Sequence, residues 1–239
     1  MAQIARNPWS LFLAGIFAFV ALSSARAQTV KSSIEQMSSW SSCSACAGAG
    51  GSGPTATHST TLVSSPSMSG SSRKFHLGGS HPYSNALWWK QLGANNSKTH
   101  FVYDMYFYLK APSYAQALEF DVNQSNGTHK FIFGTECNIK GGRVWDVYDP
   151  KGGRWRSTGI HCGQPSAFKW HHLHWEFYRT TQQVHYVSFT LDGVKHYVNR
   201  AYYARSSGAK EINVAFQMDG DKYQHDYDTW TDKVSLKYW

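Results

Sequence analysis

Trp170 to Val198 reads WHHLHWEFYRTTQQVHYVSFTLDGVKHYV, and this stretch decides the fold class. Leu173, Trp175 and Phe177 alternate with His172, His174 and Glu176, so one face is apolar and the other carries titratable groups. A period of two belongs to a strand with one buried face. Val187, Phe189 and Leu191 repeat the alternation up to Asp192-Gly193, a dipeptide suited to the positive-φ backbone of a tight hairpin, and Val194, His196 and Val198 resume it. Three consecutive antiparallel strands are predicted.

The same period recurs along the chain. Tyr103, Met105, Phe107 and Leu109 alternate with Asp104, Tyr106 and Tyr108. Leu118, Phe120 and Val122 alternate with Glu119, Asp121 and Asn123, and Trp145 and Val147 with Asp146 and Tyr148. Phe131 and Phe133 point to the core, and INVAFQMDG and DKVSLKYW supply strands up to Trp239. Turn dipeptides such as Gly78-Gly79, Asn126-Gly127, Gly141-Gly142, Gly152-Gly153 and Ser207-Gly208 separate these segments. No segment sustains a 3.6-residue apolar period, so the fold class is all-β, a two-sheet antiparallel β-sandwich.

A Trp-His-His opening a strand, followed at the end of the next strand by an Asp-Gly hairpin, resembles the laminin-G-like branch of the concanavalin A-like lectin and glucanase superfamily. The similarity runs from Pro54 to Trp239. It implies a jelly roll whose concave face holds saccharide.

The outward-facing positions supply the candidate site. Asp104, Tyr106, Tyr108, Glu119, Asp121, His172, His174 and Glu176 are expected to bind glycan, rings against the C–H faces of pyranoses and carboxylates against hydroxyls. The plainer reading is a solvated sheet face with cross-strand pairs. The superfamily resemblance includes retaining glucanases with Glu-x-Asp followed by a second Glu. Here Glu119-Phe120-Asp121 is followed by Val122, Asn123, Gln124 and Ser125, so that second Glu is missing. If the chain is an enzyme, Glu119, Asp121 and Glu176 are the candidate acids, with Glu176 supplying the absent carboxylate. A lyase would use a Tyr or His as base, and none of the lyase motifs is present.

His172 and His174, two apart on one strand, raise zinc as a possibility but lack a defined third ligand. No cofactor is required. Structural calcium is the open metal question, with Asp219, Asp221, Asp226 and Asp228 in MDGDKYQHDYD as candidates outside EF-hand spacing. Of Trp88 and Trp89, adjacent on a strand, one must face inward and the other could stack on a ligand.

Residues 1–27 combine Arg6, an apolar run from Leu11 to Leu22 and Ala25-Arg26-Ala27, the pattern of a secretory signal peptide. Residues 28–53, rich in Ser and Gly and holding Cys43-x-x-Cys46, read as an exposed leader, and 54–239 as one sandwich domain. Loss of Arg6 and Arg26 lowers the formal charge from +8 to +6. Lys and Arg form no run longer than two, so nucleic acid is not the expected partner. Nor is membrane insertion expected after signal removal. Four cysteines allow three pairings, and in an exported chain the pairs nearest in sequence, Cys43–Cys46 and Cys137–Cys162, are expected as disulfides. Walker, dinucleotide-glycine and GxSxG patterns are absent. The expected function is secreted, lectin-like polysaccharide binding, with a polysaccharide-cleaving enzyme and a structural or adhesive surface protein as alternatives.

Overall fold

The computed structural model describes residues 28–44, 46, 55–79, 81–94 and 97–239. The strands in chain order are β1 (Thr29–Lys31), β2 (Ser41–Ser44), β3 (Thr57–Val63), β4 (Ser72–Gly78), β5 (Asn85–Gln91) and β6 (His100–Leu109). Then come β7 (Ala115–Asn126), β8 (His129–Phe133), β9 (Thr135–Asn138), β10 (Val144–Asp149), β11 (Arg154–His161) and β12 (Lys169–Arg179). The last are β13 (Gln183–Leu191), β14 (Val194–Tyr203), β15 (Arg205–Ser206), β16 (Lys210–Gly220) and β17 (Tyr227–Tyr238).

They form a two-sheet antiparallel jelly-roll sandwich. Sheet I has the order β14-β13-β12-β6-β17-β4-β3, with β1 paired to the end of β17. Sheet II has the order β11-β10-β9-β7-β16-β5-β2, with β8 between β7 and β15. The β12–β13–β14 meander is the one predicted from Trp170 to Val198. Asp192 and Gly193 close its second hairpin at φ 49° and 86° between paired Leu191 and Val194. The alternation slips once in β13. A bulge at Val187 puts Val184 and Tyr186 in the core before it and Phe189 after it.

Rings from the two inner faces fill the space between the sheets. Trp175 of sheet I meets Trp145 of sheet II edge-on at 5.8 Å, Phe107 meets Phe120 at 5.2 Å, and Phe75 meets Trp88 at 5.1 Å. All six are at most 2% exposed. Tyr186 also ties the layers by a polar contact, its hydroxyl donating to the carbonyls of Tyr148 at 2.8 Å and Ile132 at 3.1 Å. That bond satisfies a phenol that would otherwise be costly to bury.

The leader reading needs correction. Ser41–Ser44 add a strand to sheet II and Thr29–Lys31 one to sheet I, while Ile34 is fully buried in the core. The Glu35 carboxylate accepts the Val234 N–H, and its main-chain carbonyl accepts from the Arg73 guanidinium. The sandwich therefore begins at Thr29, because this Ser-rich stretch contributes backbone pairing and one apolar anchor. The signal-peptide assignment lies outside the described residues. Both expected disulfides are present, Cys43–Cys46 with Cα atoms 5.8 Å apart and Cys137–Cys162 with 5.6 Å. The second closes a loop of 25 residues in sequence separation, worth about 3–4 kcal/mol by loop entropy.

Trp175 is fully buried and touches Trp145, Phe177 and Phe189. Trp175→Ala is expected to lower unfolding free energy by about 3–5 kcal/mol. Urea denaturation checks this, and a loss under about 1 kcal/mol would show that the inter-sheet rings are not the main anchor.

Candidate functional site

Because side chains alternate across each strand, packing one set into the core sends its neighbours to an outer face. The eight residues expected to form one site therefore divide between two faces. Asp104, Tyr106 and Tyr108 on β6 and His172, His174 and Glu176 on β12 come together on sheet I, with Tyr106 opposite His172 and Asp104 opposite His174. Glu119 and Asp121 on β7 lie on the outer face of sheet II. The interior, about 10 Å thick, separates the two sets. Glu176 is thus no partner for Glu119, and its carboxylate accepts from the Lys195 ammonium at 3.0 Å.

The outer face of sheet II carries a groove of about 580 Å³. Trp89 and Leu87 from β5, Asp121 and Asn123 from β7, Asn213 and Glu211 from β16, Lys130 from β8 and Arg205 from β15 line it. Trp89 is the outward member of the tryptophan pair, Trp88 being fully buried. Asn123 donates from Nδ2 to Asn213 Oδ1 at 3.1 Å across the β7–β16 pair. The groove so combines an indole surface with amide and carboxylate oxygens.

Next to it lies a row of acids of which sequence reasoning named Glu119 as a site residue but not Glu136 or Asp146. Glu119 pairs in register with Glu136 on β9, and Glu136 with Asp146 on β10. Three carboxyls thus stand side by side across three strands, a placement that disfavours ionisation of all of them. Gln217, opposite Glu119 on β16, donates from Nε2 to Glu119 Oε1 at 2.5 Å and to Asp219 Oδ1 at 2.9 Å. The second oxygen of Glu119 is buried without a hydrogen-bond partner. The Thr135 N–H reaches Asp121 at 3.2 Å, and Asn138 Nδ2 reaches Asp146 at 3.2 Å.

Burial is the main cause of the unusual titration of this group. It pushes Glu119 well up, reinforced by Asp219, Asp121 and Glu136. Glu136 is raised to about 9 by burial and then by Asp219, Asp146 and Asp121. Asp121 and Asp219 rise to about 7, again by burial, with the Thr135 N–H and the Gln217 amide respectively opposing the shift. At neutral pH the cluster retains protons. Carboxylate oxygens of Glu119, Glu136 and Asp219 lie within 4.8 Å of one another, which is the hard-oxygen donor set a divalent cation prefers.

The calcium candidates do not form a single site. Asp219 belongs to the acid cluster, while Asp221 accepts from Lys140 Nζ at 2.5 Å and from two backbone N–H groups. Asp226 is exposed and accepts the Gly79 N–H, and Asp228 is paired on sheet I with Lys74 and His76. The strand and the loop after it send these carboxylates in different directions. His172 and His174 do not face a common open point either. His172 Nε2 and His174 Nδ1 sit 3.0 and 2.8 Å from the same oxygen of Asp104. Burial raises the Asp104 pKa, but the hydrogen bonds from His174 and then His172 outweigh it and hold the carboxyl below its usual range.

No protein-family model and no curated protein matches the chain. Among solved structures, one described as a carbohydrate-binding module of the β-sandwich superfamily is 7% identical with a TM-score of 0.46, covering 84% of this chain and 58% of that one. An alginate lyase with bound alginate trisaccharide is 11% identical at 0.47, covering 69% and 80%. A family 11 carbohydrate-binding module from Clostridium thermocellum is 13% identical at 0.42, covering 87% and 94%. Identity this low aligns no set of side chains, and the roles of the groove residues rest on their own geometry. Among the described residues no helix is long and apolar enough to cross a membrane.

The raised carboxyls set a sign for stability against pH. Glu119, Asp121, Glu136 and Asp219 hold protons more tightly folded than unfolded, so folding takes up protons and stability falls as pH rises from about 4 through 7 to about 9. Asp104, Asp192, Asp221 and Asp232, where hydrogen bonds outweigh burial and lower the pKa, lose their contribution below the ordinary carboxyl range. The melting temperature is expected to peak near about pH 5 and decline toward about pH 9. Glu136→Gln combined with Asp219→Asn should flatten the alkaline decline, and a wild-type melting temperature that holds level or rises over that range would contradict the account.

Proposed function

We propose that the chain is an exported polysaccharide-binding protein and that the sugar polymer lies in the sheet II groove. The partly exposed Trp89 indole, set beside Asp121, Asn123, Asn213 and Glu211 in one 580 Å³ groove, carries the reading. An indole offers a flat apolar surface to a pyranose ring, while amide and carboxylate oxygens accept from its hydroxyls. Asp121 and Glu211 stand against Lys130 and Arg205 in the lining, so the charges balance and a neutral polymer suits the groove better than an anionic one. The two disulfides support an extracellular location.

Retention of the mature chain on insoluble neutral polysaccharides tests this. Wild-type protein is expected to be retained, and Trp89→Ala to weaken binding by about ten-fold or more. Retention on none of them would favour a structural role, and retention unchanged by Trp89→Ala would move the site elsewhere.

Cleavage of the glycan is a second reading, favoured by the Glu119–Glu136 pair. Retaining hydrolysis uses two carboxyls about 5 to 5.5 Å apart, one attacking the anomeric carbon while the other protonates the departing oxygen. Register sets Glu136 of β9 beside Glu119, so a neighbouring strand offers the second carboxyl that β7 lacks, and loss of one proton from the pair would provide both forms. With Glu119 1% and Glu136 7% exposed, a glycan reaches them only if the groups covering them move, so binding takes precedence. Glu119→Gln is expected to retain binding and abolish any release of reducing ends. Equal release by wild type and variant would remove Glu119 from the chemistry.

A further inference from the structure

The outer face of sheet I differs in character from the groove. Five lysines project from it or its rim, namely Lys74, Lys110, Lys195, Lys233 and Lys237, and every acid among them is already engaged. Asp104 is held by His172 and His174, Glu176 by Lys195, and Asp228 by Lys74 and His76. Asp232 accepts from the Ser67 and Ser69 hydroxyls and from the Met68, Ser69 and Lys233 N–H groups. Lys110, Lys233 and Lys237 have no acidic partner within salt-bridge distance among the described residues. Positive charge is therefore left over on this face, interleaved with rings.

Those rings are ordered across the strands. Trp170 on β12, Tyr108 on β6 and Trp230 on β17 form a cross-strand row, with centroids 5.3 and 5.6 Å apart. Tyr106 and His172 stack beside it at 4.4 Å and 7°. Lys110 Nζ lies 5.1 Å from the Trp230 ring, and Lys233 Nζ 5.8 Å from the Tyr106 ring. Tyr106, Tyr108 and Trp170 remain partly exposed, and Lys110 and Lys233 are exposed.

We propose that this face, centred on Tyr106, Tyr108, Trp170, Lys110 and Lys233, is a second glycan-binding surface that takes a polyuronate, a chain of pyranoses bearing carboxylates. A ring face stacks on the tyrosines or the indole while its carboxylate meets an ammonium. Two free lysines, Lys110 and Lys233, stand beside the four rings, a sparse array that matches a polymer with no more than one charge per sugar. A sulfated chain with several charges per repeat calls for a denser cationic array. Tyr106 and Tyr108 are two residues apart on a strand, about 7 Å, which lets successive sugars contact successive rings. This surface is independent of the groove and stands or falls separately from it.

The test measures binding of full-length mature protein to polygalacturonate, dextran sulfate and a neutral glucan at low and high salt. Polygalacturonate is expected to bind and to weaken as salt rises. Lys110→Gln combined with Lys233→Gln should weaken that binding by about ten-fold and remove most of its salt dependence, and Tyr108→Ala should weaken it at both salt levels. These variants should leave binding of a neutral glucan unchanged, and Trp89→Ala should leave polygalacturonate binding unchanged. Thermal melts confirm that each variant is folded, and the lysine pair, exposed on the surface, tests the idea even if Tyr108→Ala does not fold. No binding of polygalacturonate, binding of dextran sulfate alone, or loss of polygalacturonate binding in Trp89→Ala but not in the lysine pair would each overturn the proposal.

Discussion

The aromatic interlock between the sheets is the constraint on which the rest of this structure depends. Trp175 against Trp145, Phe107 against Phe120 and Phe75 against Trp88 draw sheets I and II together over a buried interior. Strand geometry then leaves no choice for the neighbours of these rings. With Phe107 inside, Tyr106 and Tyr108 face out from sheet I, and with Phe120 inside, Glu119 and Asp121 face out from sheet II. The two outer chemistries are by-products of one packing decision repeated along each strand.

On sheet II the consequence is a concentration of acids. Glu119, Glu136 and Asp146 are lined up by register across β7, β9 and β10, and Asp219 reaches them through the Gln217 amide. A fold selected for stability alone would place lysines or amides there, since adjacent like charges cost energy and burial adds to that cost. The chain instead retains carboxyls that stay protonated by burial and mutual repulsion, beside a groove with an indole on its wall.

Sheet I distributes its charges differently. Its acids are each held by hydrogen bonds or ion pairs, and its histidines are spent on Asp104 and Asp228 or stacked on tyrosines. The net basic charge of the chain shows itself here, as ammonium groups laid beside rings. One sandwich so presents a groove beside a cluster of protonated acids on one side and a basic aromatic face on the other.

The sequence by itself determined most of the core strands, their faces and the Asp192-Gly193 hairpin, because a period of two and the φ demands of a turn are local properties, while of three possible cysteine pairings it could only favour the one that the structure holds. It erred where the pattern was locally thin: Ser41–Ser44 show no alternation, yet join β5 through backbone hydrogen bonds that any side chain permits. The site was half legible. Glu119 and Asp121 followed from strand parity, parity required one of Trp88 and Trp89 to face outward without saying which, and it also turns Glu136 outward. Only the tertiary structure decided that β9 lies beside β7, bringing Glu136 to Glu119, and that β6 and β12 lie in the other sheet, removing Glu176 and the histidines from them. Strand order is a long-range outcome of how two apolar faces close on each other, and no pattern within a strand encodes which strand will lie next to it.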